Sequence, residues 1–240
     1  MFQTRPLRGV PALHRAALTE IRRRPLATVL GIAIPLGTIL LVAATDLLLG
    51  VGGELTRGAI PVLLPVLLVT VTFGAIAVPV VDARERGILR ALDTVPAHRG
   101  ALLLAHTPVA LAAAALVAAA GLAATRLPLA AMPGAFVACA GLCVVGMALG
   151  AVIGAYAARA SQVRALGTIV PAVVLLTAGA LPFDAILPGA DRALGFVPTT
   201  AISRTLAGEL AGNAPGLATT LWIALGGALL FGFGVLRCRR

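Results

Sequence analysis

Long apolar segments alternate with short polar segments along the whole chain. About 20 helical residues cross the ~30 Å hydrocarbon layer of a membrane, so six of the apolar segments are long enough, or nearly so, to span it. The six predicted spans are Leu26–Leu49, Ala59–Val81, Ala101–Thr125, Ala131–Ala157, Ala165–Phe183 and Gly216–Leu236. The pattern therefore predicts an all-α polytopic membrane protein with six transmembrane helices in a single domain over residues 26–240.

The segment before the first span, residues 1–25, is amphipathic. Its apolar side chains follow helical spacing while arginines occupy the rest of the surface, which predicts an N-terminal interfacial helix that ends at Arg24–Pro25. A disordered basic tail is the alternative. The apolar positions of this helix are Val10, Leu13, Ala17, Leu18 and Ile21.

A polar stretch separates the second and third spans. It reads VDARERGILRALDTVPAHRG from Val81 to Gly100 and carries seven charges. A flexible linker would be richer in Gly, Ser and Pro. Helical spacing instead places Ile88, Leu89 and Leu92 on one side, with charges on the other. We therefore predict a folded amphipathic helix over residues 82–100. The alternative is a helix that only lies at the membrane interface and holds two spans apart.

The arginines are distributed unevenly between the two sides of the predicted bundle. Fifteen of the 19 basic residues lie in the N-terminal tail, in the loops after the second and fourth spans, and at the C-terminus. The positive-inside rule therefore predicts that both termini are cytoplasmic. The net charge of +10 is read as a topology signal rather than as a nucleic-acid-binding surface. The first span is longer than the core of a signal peptide, so we expect it to be retained.

The composition argues against several kinds of chemistry. The chain is 60% hydrophobic and 12% charged, and it contains no lysine, so it has no phosphate-binding P-loop of its own. The middle of each span lacks acidic and basic residues, which argues against a proton-driven carrier. The three cysteines have no metal-ligand or disulfide spacing. We predict a protein that is not itself an enzyme and holds neither a metal nor a cofactor.

Two further segments carry recognisable patterns. Gly146, Gly150 and Gly154 repeat every four residues in the fourth span, which predicts a flat face for close helix packing, either within the chain or between two chains. The segment between the fifth and sixth spans is too long for a turn and too apolar for a solvated loop. We interpret residues 184–212 as short helices that enter or lie on the outer leaflet.

The chain resembles the permease subunit of an ABC transporter of the type-2 exporter class, which includes drug-, lipid- and polysaccharide-export permeases. The resemblance covers nearly the whole chain. It rests on the interfacial helix before a first span that contains Pro35, on RERGILRAL between the second and third spans, and on two groups of residues after the fifth span. Those groups are Gly179, Pro182 and Pro188, and then Pro198, Thr199 and Arg204. Ile88 and Val95 replace threonines of the family pattern.

The resemblance implies a function and a set of partners. In this family the first cytoplasmic loop is a coupling helix that docks in a groove of a separate ATPase. The residues expected to make or shape that contact are Glu85, Arg86, Gly87, Leu89, Arg90 and Leu92. Two ATPase copies would bind ATP and Mg, and a second permease chain, identical or different, would complete a complex in the bacterial plasma membrane. The expected cargo is hydrophobic or amphipathic: a drug, an antibiotic or a lipid.

Two other classes of function remain open from the residues alone. One is a secondary carrier or channel without an ATPase, for which buried charges or an inverted repeat would be expected. The other is a membrane scaffold that transports nothing. Neither accounts for a charged, folded helix between two spans as directly as the permease interpretation does.

Overall fold

The structure, a computed structural model, describes residues 10–23, 25–89, 100–180, 189, 194–211 and 217–237. Within these residues every regular element is helical and there is no strand, which confirms the all-α prediction. The helices are α1 (Val10–Arg23), α2 (Pro25–Leu49), α3 (Glu54–Glu85), α4 (Gly100–Ala124), α5 (Met132–Tyr156), α6 (Ala160–Leu175), α7 (Pro198–Leu210) and α8 (Leu217–Arg237). A short π-helical turn, Leu176–Ala180, extends α6.

Five of the helices are long and apolar enough to cross a membrane. They are the helices α2 to α6. The span that contains α6 continues to Ala178, within the π-helical turn. The sixth predicted span corresponds to α8, in which the apolar stretch Thr220–Leu236 is shorter. The chain is thus a helical, multi-pass membrane protein. Many large apolar side chains of α2 and α8, such as Leu48 and Trp222, are exposed on the surface of the single chain.

The second predicted span is too short at both ends. The helix α3 has 32 residues and includes Asp82, Arg84 and Glu85, so the polar stretch begins as the last turn of a long helix rather than as a separate one. Gly87, with a φ of 74°, ends α3 in the left-handed conformation that favours glycine. Ile88 and Leu89 begin a new helical segment, and residues 90–99 of the predicted helix lie outside the described residues.

The fifth span was predicted to begin five residues too late. The helix α6 starts at Ala160, where the sequence supplies polar Ser161, Gln162 and Arg164 in place of an apolar run. Polar residues can occupy a first helical turn that lies at the end of the bundle, and hydrophobicity alone does not detect them. The remaining spans agree with the helices to within one residue at each end that the structure describes.

The bundle has two ends, which we name by their contents. At the α1 end, His14 Nδ1 of α1 donates to the carbonyl oxygen of Ala105 in α4 (2.7 Å), and α1 lies beside the start of that helix. The opposite end, called the far end, contains the turns between α2 and α3 and between α4 and α5. The last turns of α8 also reach the α1 end, where Val235 lies against Gly100. The helix α1 and the last turns of α8 therefore lie at the same end of the bundle.

The helix α3 lies at the centre of the bundle and packs against α2, α4, α5, α6 and α7. Fourteen of its residues are buried, and several of its side chains are completely enclosed. The closest approach is to the glycine face of α5. A Cβ at Gly146 would overlap Thr72 Oγ1, and one at Gly150 would lie 2.8 Å from the carbonyl oxygen of Phe73. The predicted glycine face thus packs within the chain.

The helix α8 covers another side of α5 and uses its own glycines to do so. A Cβ at Gly227 would lie 2.9 Å from Val144 Cγ1, and one at Gly234 would lie 2.7 Å from the Cβ of Ala151. Gly226 and Gly232 have no atom within 4 Å of that position. Two glycines, seven residues apart, therefore form the face of α8 that contacts α5, as expected for helices whose backbones approach closely.

Substituting two glycines of α5 by alanine tests the packing of α3. Gly146→Ala would push a methyl group into Thr72 and the backbone of Val69, so we expect about 1–3 kcal/mol of destabilisation. Gly154→Ala is the matched control, because its Cβ would lie 3.5 Å from Ala77 Cα, an ordinary contact. Thermal unfolding in detergent should show a lower midpoint for the first variant alone. Equal midpoints would contradict this packing.

Candidate coupling surface

A charged turn forms the end of α3 at the α1 end. It contains Arg84, Glu85, Arg86 and Gly87, which belong to the segment predicted as a coupling helix, residues 82–100. Each charged side chain of the turn is directed to a different helix of the chain itself. We call these four residues the coupling turn.

Arg84 binds the carboxyl end of α5. Its Nη2 donates to the carbonyl oxygens of Gly154 (3.1 Å) and Ala155 (3.0 Å), and its Nη1 donates to that of Ala157. The last four carbonyl groups of a helix have no partner inside the helix, and the helix dipole places partial negative charge there. One guanidinium therefore supplies hydrogen bonds and a compensating charge at an end where α5 has no basic residue of its own.

Glu85 binds the amino end of α6. Its Oε1 accepts a hydrogen bond from the backbone N–H of Ala160 (2.7 Å), the first residue of the helix. The first turn of α6 contains no acidic residue, and its Gln162 side chain accepts from the N–H groups of Ala158 and Arg159 instead. A carboxylate at a helix amino terminus is favourable for the same dipolar reason. Arg84 and Glu85 together hold the short connection between α5 and α6.

Arg86 binds α1. Its Nη1 lies 2.9 Å from Glu20 Oε1, and its Nη2 lies 3.3 Å from Asp82 Oδ2 one turn earlier in α3. The hydrogen bond to Glu20 raises the pKa of Arg86 above its ordinary value. This pair is partly exposed and contributes little energy, about 1 kcal/mol or less, but it fixes α1 relative to the coupling turn.

The structure divides the predicted coupling residues into three groups. Glu85 and Arg86 contact the chain itself, and Leu89 is 8% exposed and packs in a cluster that includes Leu103 of α4, so it can shape the surface but cannot reach a partner. Gly87 ends α3 and has open space around it. Ile88, which was not among the predicted coupling residues, directly follows the coupling turn, and its apolar side chain is 40% exposed. Arg90 and Leu92 lie outside the described residues.

The predicted outer residues are only partly brought together. Thr199 is buried at the start of α7, and its Oγ1 lies 3.2 Å from Thr177 Oγ1 in the π-helical turn that contains Gly179. Pro198 is the first residue of α7, and Arg204 is exposed on its surface. Pro182 and Pro188 lie outside the described residues. The described part of this segment packs against α3, α5 and α8 through α7.

Sequence analysis missed the roles of Arg84, Glu20 and His14. A usable signal was present for the first of these: α5 ends without a basic residue and α6 begins without an acidic one, so their termini need charges from elsewhere. No periodicity could identify α3 as the source, because the contacts join residues 70 or more positions apart. Comparison of the chain with protein-family models and with curated proteins finds no match.

Shortening Glu85 tests its role at the start of α6. Glu85→Ala leaves the N–H of Ala160 without its acceptor, so we expect about 1 kcal/mol of destabilisation and faster amide exchange over residues 158–163. Glu85→Gln keeps an acceptor oxygen and should show a smaller effect. Glu54→Ala, an exposed glutamate at the far end of the same helix, is the control. Unchanged exchange at Ala160 in Glu85→Ala would disprove the cap.

Proposed function

We propose that this chain is the membrane-spanning permease subunit of an ATP-driven exporter of the ABC type. In this proposal it contains no ATPase activity, and two copies of a separate ATPase subunit bind ATP and Mg. A second permease chain, identical or different, completes the complex in a bacterial plasma membrane, with the α1 end in the cytoplasm. The cargo is a hydrophobic or amphipathic molecule such as a drug, an antibiotic or a lipid.

The arrangement of the coupling turn is the observation that carries the proposal. It joins α3 to the end of α5, to the start of α6 and to α1 through Arg84, Glu85 and Arg86. A displacement of this one turn is therefore transmitted to four helices at once. A subunit that takes its energy from a partner needs such a connection, because the partner acts only where it touches the chain.

The proposed mechanism begins with ATP binding, which closes the two ATPase subunits. Their movement displaces the coupling turns, and the spans shift from an inward-facing to an outward-facing arrangement. The cargo passes between the two permease chains. Coupling of this kind requires that the ATPase contact the turn with different free energies in the two arrangements. The side chains available for that contact are Ile88 and the exposed edge of Arg86, an apolar centre with a charged rim.

A substitution at Ile88 tests the docking surface more cleanly than one at Glu85, whose side chain also holds α6. We expect Ile88→Glu to reduce by about tenfold the amount of ATPase that co-purifies with the tagged permease, because it places a charge at the apolar centre of the contact. The ATPase used is the one encoded beside the permease. ATP hydrolysis by the purified complex should fall in parallel.

Val51→Glu is the matched control for this experiment. Val51 is 39% exposed, against 40% for Ile88, and it lies in the turn between α2 and α3 at the far end. Each variant adds one negative charge to an exposed apolar position in a turn. Loss of the ATPase in both variants would indicate a general effect on the bundle. Failure of the wild-type chain to retain any ATPase would favour a secondary carrier or a scaffold.

A further inference from the structure

A half-open cavity of about 290 Å³ lies at the far end of the bundle, where α2, α3 and α4 meet. Its walls come from the last turns of α2 and α4 and from the glycine-rich turn that starts α3. Ala43, Leu47 and Ala124 form the apolar side, and Arg57 and Arg126 lie on the polar side. The cavity therefore offers two cations beside an apolar wall, at the level where three membrane-spanning helices end.

The single carboxylate of the cavity, Asp46, is fully engaged by the chain. It is 5% exposed, and its Oδ1 accepts from the N–H of Gly53 (3.2 Å). Its Oδ2 accepts from the hydroxyl of Thr56 (2.5 Å) and from the N–H of Thr56 (3.3 Å). These bonds cap the amino end of α3 from α2. Asp46 thus builds the wall of the cavity, and its lone pairs are directed to α3.

The two arginines of the cavity differ from Asp46 in their contacts. Neither Arg57 nor Arg126 forms an ion pair with any residue that the structure describes. Both are exposed, and Nε of Arg57 lies 4.0 Å from the position that a Cβ would take at Gly53, so its side chain lies along the turn. The lining residues have one negative and two positive charges, and no acidic side chain that the structure describes pairs with the two positive ones.

Arg126 also has an unusual backbone conformation. Its φ is 52°, and among the non-glycine residues that the structure describes it alone has a positive φ. It follows the last turn of α4, where its N–H bonds to the carbonyl oxygen of Ala123 (3.1 Å). Glycine is the residue that favours this position at a helix end. Non-glycine residues in sparsely populated backbone conformations cluster at active sites, ligand-binding sites and switch regions.

We propose that this cavity binds a phosphate-bearing anion, with Arg57 and Arg126 as the residues that contact the phosphate. Guanidinium groups bind phosphate oxygens through paired, charge-assisted hydrogen bonds, and two of them match its charge. The neighbouring apolar wall and the exposed Leu47 and Leu48 of α2 suit the acyl chains of an anionic phospholipid. The same phosphate chemistry could also come from a soluble phosphate ester. The site does not depend on an ATPase partner.

The test uses the full chain, purified and delipidated in a non-ionic detergent. It is titrated with phosphatidylglycerol, with diacylglycerol, which has the same chains but no phosphate, and with glycerol phosphate, which has no chains. The readout is the thermal unfolding midpoint as a function of ligand concentration. The variants are Arg57→Gln and Arg126→Gly, and Arg164→Gln, an exposed arginine of α6 away from the cavity, is the matched control.

Arg126→Gly separates binding from folding, because glycine adopts the same φ without strain and the unliganded variant should be at least as stable as the wild type. We expect each cavity variant to need about tenfold more phosphatidylglycerol for half of the stabilisation. Arg164→Gln should need the same phosphatidylglycerol concentration as the wild type. Diacylglycerol should not stabilise the chain as phosphatidylglycerol does. Arginine-dependent stabilisation by glycerol phosphate as well would support the site with a soluble ligand. An unchanged titration in both cavity variants, or equal stabilisation by diacylglycerol, would overturn the proposal.

Discussion

The close contact between α3 and α5 is the constraint on which the rest of the structure depends. The two helices run in the same direction, and Gly146 and Gly150 allow their backbones to approach so closely that a single methyl group would not fit. The other helices pack around this pair. The helix α8 covers another side of α5, and α3 also contacts α2, α4, α6 and α7. A membrane interior offers little hydrophobic driving force between helices, so close packing of this kind contributes much of the stability of the bundle.

The polar residues of the chain act mainly at the helix ends, where backbone groups have no internal partners. At the α1 end, Arg84 and Glu85 supply the caps of α5 and α6 from the end of α3. At the far end, Asp46 caps the start of α3 from α2. These contacts differ from ordinary capping because the capping residue belongs to a different helix. Each of these contacts fixes the end of one helix relative to the end of another. Apolar packing alone would fix these positions less specifically.

The fold and the candidate site could be predicted to different extents. Apolar runs of about 20 residues predict the helices well, because a membrane-spanning segment must be both helical and hydrophobic. The predicted boundaries were wrong for two helices. The helix α3 continues through Asp82 and Glu85, and α6 begins with polar Ser161 and Gln162. A helix end that lies beyond the apolar layer need not be hydrophobic, so hydrophobicity does not mark it. The segment predicted to couple begins as the last turn of α3, and the contacts of Glu85 and Arg86 within the chain were not anticipated. Its role toward an ATPase stays a prediction.

The sequence by itself determined the helical class, the approximate spans and the existence of a glycine face on α5. Each of these follows from local composition and from a spacing of three or four residues, which is fixed once a segment is helical. Only the tertiary structure decided that the glycine face meets α3 of the same chain, that Arg84 and Glu85 bind two other helices, and that Arg57 and Arg126 line one cavity. The residues of each of these pairs are about 70 or more positions apart in the sequence. Their pairing depends on how the helices pack as a group, and no local pattern carries that information.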